Sequence, residues 1–282
     1  EMARMCLALA LFVLQCGIAN AVPLAFAPGL ENDAAEGVRT DFGFDYMHLV
    51  QEWPGSFCDG KRGCVWPKFP PQQDGFLLHG LWPEFLNGSW PQFCDSSSPY
   101  NASAIKDLLP ELHKYWPSLV SPDQDSFWAH EWNKHGTCCE KLTPREHVYF
   151  QLVLLLRSRF DATAILANAG ITPAPSSSSS DETAPGTTSW RAVKKALDGA
   201  FGKAVEVGCS RDAKGRLQLS EVRSCYAPLS SARDAEERGE EEELRVGKVG
   251  VGKLTCPKEM EYGSCKGPDE PLLFPAFHPA LP

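Results

Sequence analysis

The sequence predicts a single α+β domain over residues 40–275, in which helices flank a central, mostly antiparallel sheet stapled by disulfides. Three observations support this fold class. Strand-like and helical segments are mixed without a regular strand–helix–strand repeat, which favours α+β over a parallel α/β sheet. The 282 residues are enough to bury a core. The eleven cysteines, in a chain with a signal-like start, indicate disulfides.

The N-terminal segment has the pattern of a secretory signal peptide. Arg4 precedes an apolar run, Met5–Val13, and Ala19-Asn20-Ala21 is a small-residue cleavage pattern. We expect a signal peptide over 1–21, with cleavage as late as residue 27; a buried N-terminal helix is the alternative. The run is too short to span a bilayer. We therefore expect a protein of the secretory pathway, extracellular or vacuolar/lysosomal, with no membrane attachment after cleavage.

The domain is predicted to begin with two strands, followed by helices. Phe44–Trp53 shows two-residue alternation and ends at Pro54-Gly55, while Phe76–Trp82 is bounded by Asp74-Gly75 and Pro83. Helical spacing of apolar residues and helix-end signals predict helices in five segments: Asn101–Trp116, Ser126–His135, Thr143–Phe160, Asp161–Ala169 and Ser189–Phe201. Strand-like runs return at Ala204–Gly208 and Leu217–Tyr226.

Local signals refine two parts of this pattern. A capping box from Thr143 to Glu146, with Pro144 at the first helical turn, predicts that a helix begins there. Residues 172–188 are rich in Ser, Pro and Thr, and residues 230–245 hold seven acids against three arginines. Both segments lack apolar periodicity, so we predict that they are mobile insertions.

The cysteines are expected to form a disulfide framework. Removing Cys6 and Cys16 with the signal leaves nine of the eleven cysteines, so one is unpaired. A structural zinc site is disfavoured because no two close Cys-x-x-Cys pairs occur. The sequons at Asn87 and Asn101 fit the same secretory route as candidate glycosylation sites.

The formal net charge of −9 excludes a protein that holds nucleic acid by a large basic face. Any chemistry on a polyanion must therefore depend on a local pocket. Brief engagement of a strand is expected, without processive tracking.

Two segments concentrate the residues suited to proton transfer. The first is Phe76-Leu77-Leu78-His79-Gly80-Leu81-Trp82-Pro83. The second is Phe127-Trp128-Ala129-His130-Glu131-Trp132-Asn133-Lys134-His135-Gly136-Thr137-Cys138. Each brings histidine together with tryptophan on which a nucleobase could stack.

Helical spacing in the second segment argues against a metal site. At about 100° per residue, Glu131 and His135 share one face, and His130 and Lys134 share another. His130 and His135 are then about 140° apart, so they cannot chelate one metal as a His-x-x-x-His pair does. We expect no metal and no cofactor. The sequence also lacks the Gly-x-Ser-x-Gly elbow of many serine hydrolases.

These groups suit phosphoryl transfer within RNA. One imidazole takes the proton of the ribose 2′-OH while another protonates the departing 5′-oxygen. A lysine stabilises the charge of the transition state, and no metal or external nucleophile is required. DNA lacks the hydroxyl and should not react. The alternatives are a packed core histidine at His79 and a salt-bridged surface face at His130, Glu131, Lys134 and His135.

Both segments, together with Val50-Gln51-Glu52-Trp53-Pro54-Gly55-Ser56-Phe57-Cys58, resemble the ribonuclease T2 family, which includes the S-like ribonucleases of plants. The resemblance extends to Cys265. It implies that His79 is the general acid and His135 the general base. Glu131 and Lys134 would stabilise the transition state, and His130 would help to hold the phosphate. A base pocket is implied at Trp82, Glu84, Trp90 and Phe127.

The resemblance also implies the disulfide pairs and the partner. The implied pairs are Cys58–Cys64, Cys94–Cys138, Cys209–Cys265 and Cys225–Cys256, which leaves Cys139 as the odd thiol. The expected protein is a monomer that cleaves single-stranded RNA with low base specificity. Two rivals share the fold: a self-incompatibility ribonuclease, disfavoured by the sequence pI of about 5.3, and an inactive storage or signalling protein, disfavoured because both His79 and His135 are present.

Overall fold

A computed structural model describes residues 42–59, 64, 75–174, 186–230, 244–257, 265, 267 and 269–277. These residues belong to one compact unit, Val38–Pro282. The unit combines helices with a mostly antiparallel sheet, which confirms the predicted single α+β domain. The predicted signal peptide at 1–21 lies outside the described residues.

The sheet is built around the long strand β5. Its strands are β1 (Tyr46–Glu52), β2 (Leu77–Glu84), β3 (Thr187–Ser189), β4 (Glu206–Arg211), β5 (Leu217–Leu229), β6 (Leu244–Val246), β7 (Val249–Leu254) and β8 (Pro271–Leu273). The order β2-β1-β5-β7-β6 is antiparallel throughout, and β4 also pairs antiparallel with β5. A parallel bridge joins β5 to β8, which pairs antiparallel with β3.

The first helix was not predicted from the sequence, and the later helices lie close to the predicted positions, with two differences at their starts. They are α1 (Pro54–Cys58), α2 (Leu109–Tyr115), α3 (Gln124–Lys134), α4 (Glu146–Arg159), α5 (Ala162–Asn168) and α6 (Trp190–Phe201). The segment 101–116 is not one helix: a 3-10 turn, Ala102–Ile105, precedes α2, which has Pro110 in its first turn. Proline has no N–H to continue a helix through this point.

The predicted capping box at Thr143 is wrong. The α4 helix begins at Glu146, and its N-cap, Arg145, makes no side-chain cap bond. The Thr143 hydroxyl instead donates to the carbonyl oxygen of Cys139 (3.1 Å). The Glu146 carboxylate accepts from the backbone N–H of Asn101 at 3.0 Å, so it too is used outside the helix.

The core lies between one face of the sheet and the helices. Met47, Leu49 and Leu81 on the sheet and Tyr149 and Phe150 on α4 are fully buried members of it. The Tyr149 hydroxyl donates to the Leu81 carbonyl at 2.9 Å, which fixes α4 on β2. Burying a side chain of this size contributes on the order of 2 kcal/mol. Successive side chains of a strand point to opposite faces of the sheet. The polar side chains of β1 and β2 can therefore lie on the face that is turned away from this core.

A β-bulge on β2 displaces His79 from the regular ladder. Val50 pairs with Gly80 and Gln51 with Leu78, so His79 is the extra residue of β2. Its carbonyl oxygen accepts instead from the Trp116 indole N–H at 2.8 Å. Bulges re-aim side chains and are frequent near active sites. The strand thus presents the histidine in a direction that regular pairing would not allow.

The structure contains four disulfides, which are the four pairs implied by the resemblance: Cys58–Cys64, Cys94–Cys138, Cys209–Cys265 and Cys225–Cys256. Cys139 is a free thiol, fully buried in the 3-10 turn Gly136–Cys139. Burial raises the pKa of this thiol. Its low thiolate content disfavours exchange with its disulfide-bonded neighbour, Cys138.

The two predicted insertions are partly ordered at their ends. Thr187 and Thr188 lie in β3, and Leu244 and Arg245 lie in β6, where backbone pairing holds them. The central parts, 175–185 and 231–243, lie outside the described residues. Within the part of the chain that is described, no helix is long and apolar enough to cross a membrane.

Trp116→Phe tests the support of the bulge. The substitution leaves the His79 carbonyl without its indole donor, so the free energy of unfolding should fall by about 1–3 kcal/mol in urea denaturation. The His79 imidazole should also titrate at a changed pH in NMR, because its backbone is no longer held.

Trp190→Phe is the control. Trp190 is partly buried, and its indole N–H donates at 3.4 Å to the Val207 carbonyl on β4, which β5 and β1 separate from β2. It should lose a hydrogen bond of the same kind but leave the His79 titration unchanged. An unaltered His79 titration in Trp116→Phe would contradict the proposed support.

Candidate active site

The α3 helix presents the second histidine segment to the sheet. Asp123 begins the helix by accepting from the Ser126 N–H at 3.1 Å. The helix ends at Lys134, and His135 is its C-cap residue with φ −113° and ψ −47°. His135 N–H still donates to the Glu131 carbonyl at 3.0 Å, so the two residues stay one helical turn apart. The site therefore lies at the C-terminal end of α3.

Gly80 allows α3 to approach β2 closely. The Trp82 indole N–H donates to Glu131 Oε2 at 3.1 Å across this glycine. A Cβ at Gly80 would lie 2.1 Å from Glu131 Oε2 and 2.4 Å from Trp82 Nε1, both far inside van der Waals contact. A side chain here would displace the Glu131 carboxylate or the Trp82 indole and break their hydrogen bond. The glycine between His79 and Trp82 is therefore required by packing.

Two imidazoles contact the same indole ring. His135 stacks on Trp82 with ring centroids 5.3 Å apart and planes at 22°. His79 meets Trp82 edge to face, with centroids 4.9 Å apart. The His79 side chain keeps 33% of its exposure, so it is accessible to a ligand, while His135 is 5% exposed. The structure thus brings together the predicted acid and base from segments far apart in sequence.

Two charged residues of the site were not predicted from the sequence. Glu52 on β1 places Oε2 3.4 Å from His79 Nδ1, which is closed off from solvent. Arg223 on β5 places its guanidinium carbon over the Trp82 ring, 5.3 Å from the centroid. Val50 on β1 pairs with Gly80 on β2 and with Arg223 on β5. Positions 50, 80 and 223 are therefore on the same face of the sheet. Glu52 lies in a recognisable segment, but Arg223 carries no local signal in its strand.

Burial and nearby cations lower the pKa values of the site histidines. Burial, followed by the charges of Arg223, Lys134 and His130, lowers the pKa of His79 to about 4. Burial, followed by Lys134, His130 and His79, lowers the pKa of His135 to about 3. The pKa of His130 is also lowered, by burial and then by Lys134. The empty site therefore holds neutral imidazoles near neutral pH.

Burial has the opposite effect on the carboxyl groups. It raises the pKa of Glu131 to about 8, although the Trp82 hydrogen bond and the Lys134 charge act against it. Burial, reinforced by Glu221 and Glu131, raises the pKa of Glu52 well above its usual value. With these acids and the imidazoles neutral, Lys134 supplies positive charge at the site, while Arg223 is ion-paired with Glu221 at 2.5 Å. Such an arrangement attracts an anion and can shuttle protons to and from it.

Of the other predicted site residues, Phe127 joins this centre. Phe127 on α3 lies beside His79, with ring centroids 6.4 Å apart. Trp90 is 53% exposed. His130 is exposed on α3 and contacts the ring of Phe93. Glu84 points elsewhere: its Oε1 lies 3.6 Å from Nδ1 of the buried His48.

The candidate glycosylation sites are at the surface, and the one candidate metal-binding group among the described residues contains a disulfide. Asn87 and Asn101 are exposed, as an attached glycan would require. Among the described residues, the one grouping of metal-ligand types within 4.8 Å is His48 with Cys225 and Cys256. The two sulfurs are bonded to each other, so they are not available as thiolate ligands.

Sequence comparison relates most of the chain to ribonucleases. The model of the Ribonuclease T2 family matches residues 44–234. Extracellular ribonuclease LE of Solanum lycopersicum is 36% identical over 184 residues, covering 64% of this chain and 76% of the relative. Intracellular ribonuclease LX of the same species is 37% identical over 190 residues, covering 67% and 75%.

A solved structure extends the similarity over more of the fold. RNase NT, in complex with 5′-AMP, matches with a TM-score of 0.64 and 33% identity. The match covers 83% of this chain and 99% of that one. The shared architecture therefore includes the sheet and the helices that carry the histidines.

Lys134→Gln tests the electrostatics of the site. Lys134 lowers the pKa values of His79, His130, His135 and Glu131. Removing its positive charge makes protonation of the three imidazoles easier. It also removes an interaction that stabilises the Glu131 carboxylate, so all four pKa values should rise. NMR titration of the imidazole protons in the free protein measures the three histidines.

His113 is the internal control in the same spectra. Its pKa is lowered by burial and affected by Asp125, with no contribution from Lys134. It should titrate identically in the two proteins. Unchanged pKa values at His79 and His135 would show that the amine of Lys134 does not face them.

Proposed function

The chain belongs to the ribonuclease T2 family, and from this premise we propose that it cleaves single-stranded RNA by metal-independent transphosphorylation. The observation that carries the proposal is the pair of imidazoles, His79 and His135, held against one indole ring, Trp82. Cleavage inside RNA needs one group to accept a proton and a second to donate one at the same phosphate. The pair meets this requirement.

In the proposed reaction, His135 removes the proton from the ribose 2′-OH. The 2′-oxygen attacks its own phosphorus, and the bond from phosphorus to the 5′-oxygen breaks. His79 gives a proton to this leaving oxygen, so the products carry a 2′,3′-cyclic phosphate and a free 5′-hydroxyl. If water later opens the cyclic phosphate, the two histidines exchange roles.

Charge at the site assists both the binding and the transfer. Lys134 and Glu131 stabilise the pentacovalent transition state, the first as a cation and the second as a hydrogen-bonding acid, and His130 helps to hold the phosphate. A bound phosphate anion favours protonated imidazole, which opposes the lowering of the His79 pKa in the empty site. Substrate binding thus loads the general acid with its proton.

Base contacts are proposed at the aromatic residues that remain accessible. Phe127 lies beside His79, and Trp90 exposes its ring, so in this proposal each stacks on a base without demanding one sequence. The Trp82 ring already contacts Glu131 and His135. The Glu84 carboxylate already contacts His48. This division supports low base specificity.

The proposed setting of the enzyme is the secretory pathway, as a monomer. The four disulfides and the predicted signal peptide support an oxidising compartment. The two tomato relatives are named as extracellular and intracellular, so both an extracellular and a vacuolar/lysosomal destination remain open.

Cleavage of RNA in excess EDTA tests the reaction. The purified protein should convert single-stranded RNA to fragments with 2′,3′-cyclic phosphate ends, detected by mass spectrometry, and leave single-stranded DNA intact. The value of kcat/KM should decline from acidic to neutral pH, since the pKa of His79 is lowered to about 4 and its protonated form is lost as pH rises. Activity that EDTA abolishes would refute the metal-independent mechanism.

His79→Ala and His135→Ala test the assigned roles. Each should lower kcat by about 10²–10⁴-fold, because general acid and general base contribute about this much. Their thermal unfolding should remain cooperative. The control is His147→Ala: this histidine pairs with Asp107 at 2.9 Å on another part of the surface and should retain wild-type kcat. Near wild-type activity in either active-site variant would disprove that role, whereas no cleavage by the wild-type protein would favour the inactive storage or signalling alternative.

A further inference from the structure

Phe93 combines an unusual backbone with an exposed aromatic ring. Its φ of +52° makes it the one non-glycine residue of the described chain in the left-handed region. Its side chain is 59% exposed, the largest value among the exposed large apolar residues that the structure describes. Both features are unfavourable for a bulky apolar residue in water. Such outliers cluster at binding and active sites.

The strained backbone is held on the active-site helix. Phe93 N–H donates to the Lys134 carbonyl at 2.9 Å. The next residue, Cys94, forms the disulfide to Cys138, and its N–H donates to Thr137 Oγ1 at 3.2 Å. These partners lie in the last turn of α3 or in the 3-10 turn that follows it. The backbone that carries the ring is therefore held close to Lys134 and His135, so little backbone freedom is lost when a ligand binds.

The ring lies at the outer edge of the proposed phosphate site. It meets the exposed His130 ring edge to face, with centroids 6.5 Å apart. Among ring contacts of the described residues, none joins Phe93 to Trp82, His79 or Phe127, the rings around the scissile phosphate. An exposed aromatic ring beside groups that bind phosphate is how proteins hold a single strand: bases stack on the ring, and the neighbouring groups hold the backbone.

We propose that Phe93 stacks on a nucleobase of the RNA strand beyond the two nucleotides that flank the scissile phosphate. This subsite rests on the proposed function, since it takes the same strand that the histidines cleave. A nucleobase is favoured over a protein partner because the ring contacts His130 and its backbone is held by Lys134, the residues proposed to act on the phosphate. In a protein of net charge −9, these local groups must guide the strand.

Phe93→Asn is the main test, because asparagine accepts the left-handed backbone and removes the ring. The first substrate is an octadeoxynucleotide with one ribonucleotide, which offers a single cleavable phosphate. The second is a dinucleoside monophosphate, which has only the two flanking bases. We expect kcat/KM to fall about 5- to 100-fold more on the octamer than on the dimer, through KM. Phe93→Trp should restore the octamer value.

Val120→Asn is the matched control for exchanging an exposed apolar side chain for an amide. Val120 is 54% exposed and lies in the turn after α2. This variant should keep the wild-type ratio of the two kcat/KM values. A wild-type ratio in Phe93→Asn, or an equal loss on both substrates, would overturn the subsite.

A binding measurement separates this proposal from the proposed function. A fluorescent 2′-O-methyl RNA octamer cannot be cleaved, because its 2′-oxygen carries no proton. Phe93→Asn should weaken its binding about 5- to 100-fold in anisotropy, whether or not the wild-type protein cleaves RNA. Equal affinity in both proteins would overturn the proposal. So would sedimentation that shows a wild-type dimer and a Phe93→Asn monomer, which would assign the ring to a second copy.

Discussion

The active site depends on the contact between helix α3 and strand β2 at Gly80. The Trp82 indole donates to Glu131 only because no side chain stands between strand and helix. This contact sets the distance at which His135 stacks on Trp82. On the strand, the bulge directs His79 toward the same indole. The geometry of the acid and the base is thus a consequence of helix-on-sheet packing.

Burial then determines the charge that the site presents. Desolvation is the largest cause of the lowered histidine pKa values and of the raised pKa of Glu131. Neutral imidazoles and a neutral acid leave the positive charge of Lys134 at the site, while the charge of Arg223 is balanced by Glu221. A chain with a formal net charge of −9 can therefore offer an anion a locally positive pocket. The polar groups on the sheet side of this pocket lie on one face of the neighbouring strands β2, β1 and β5.

The same polar face continues into a buried cluster that competes for one predicted base-binding residue. His48 lies 3.6 Å from both Glu84 and Glu206. Burial alone would lower the pKa of His48, but the two carboxylates outweigh it and raise the pKa. A charged histidine repays part of the cost of burying the acids. Glu84 is therefore used to support the sheet at the position where the resemblance implied a base contact.

Sequence alone determined the fold class, the helices and the two segments that carry His79, Glu131, Lys134 and His135. Local periodicity and residue chemistry are sufficient for such features, because both are written within a few neighbouring positions. Start signals were less dependable: Thr143 had the pattern of a cap, but its hydroxyl found a nearer acceptor at Cys139.

Only the tertiary structure decided which distant residues meet. Arg223 joins the site through its pairing across β1, and Glu52 does so through the bulge at His79. Neither contact leaves a periodic signal in the chain, since sheet register links residues that are far apart in sequence. The exposed ring of Phe93 likewise gains its meaning from the bond to Lys134. Sequence therefore identified the chemical groups, whereas packing determined their neighbours, their pKa values and their access to the strand.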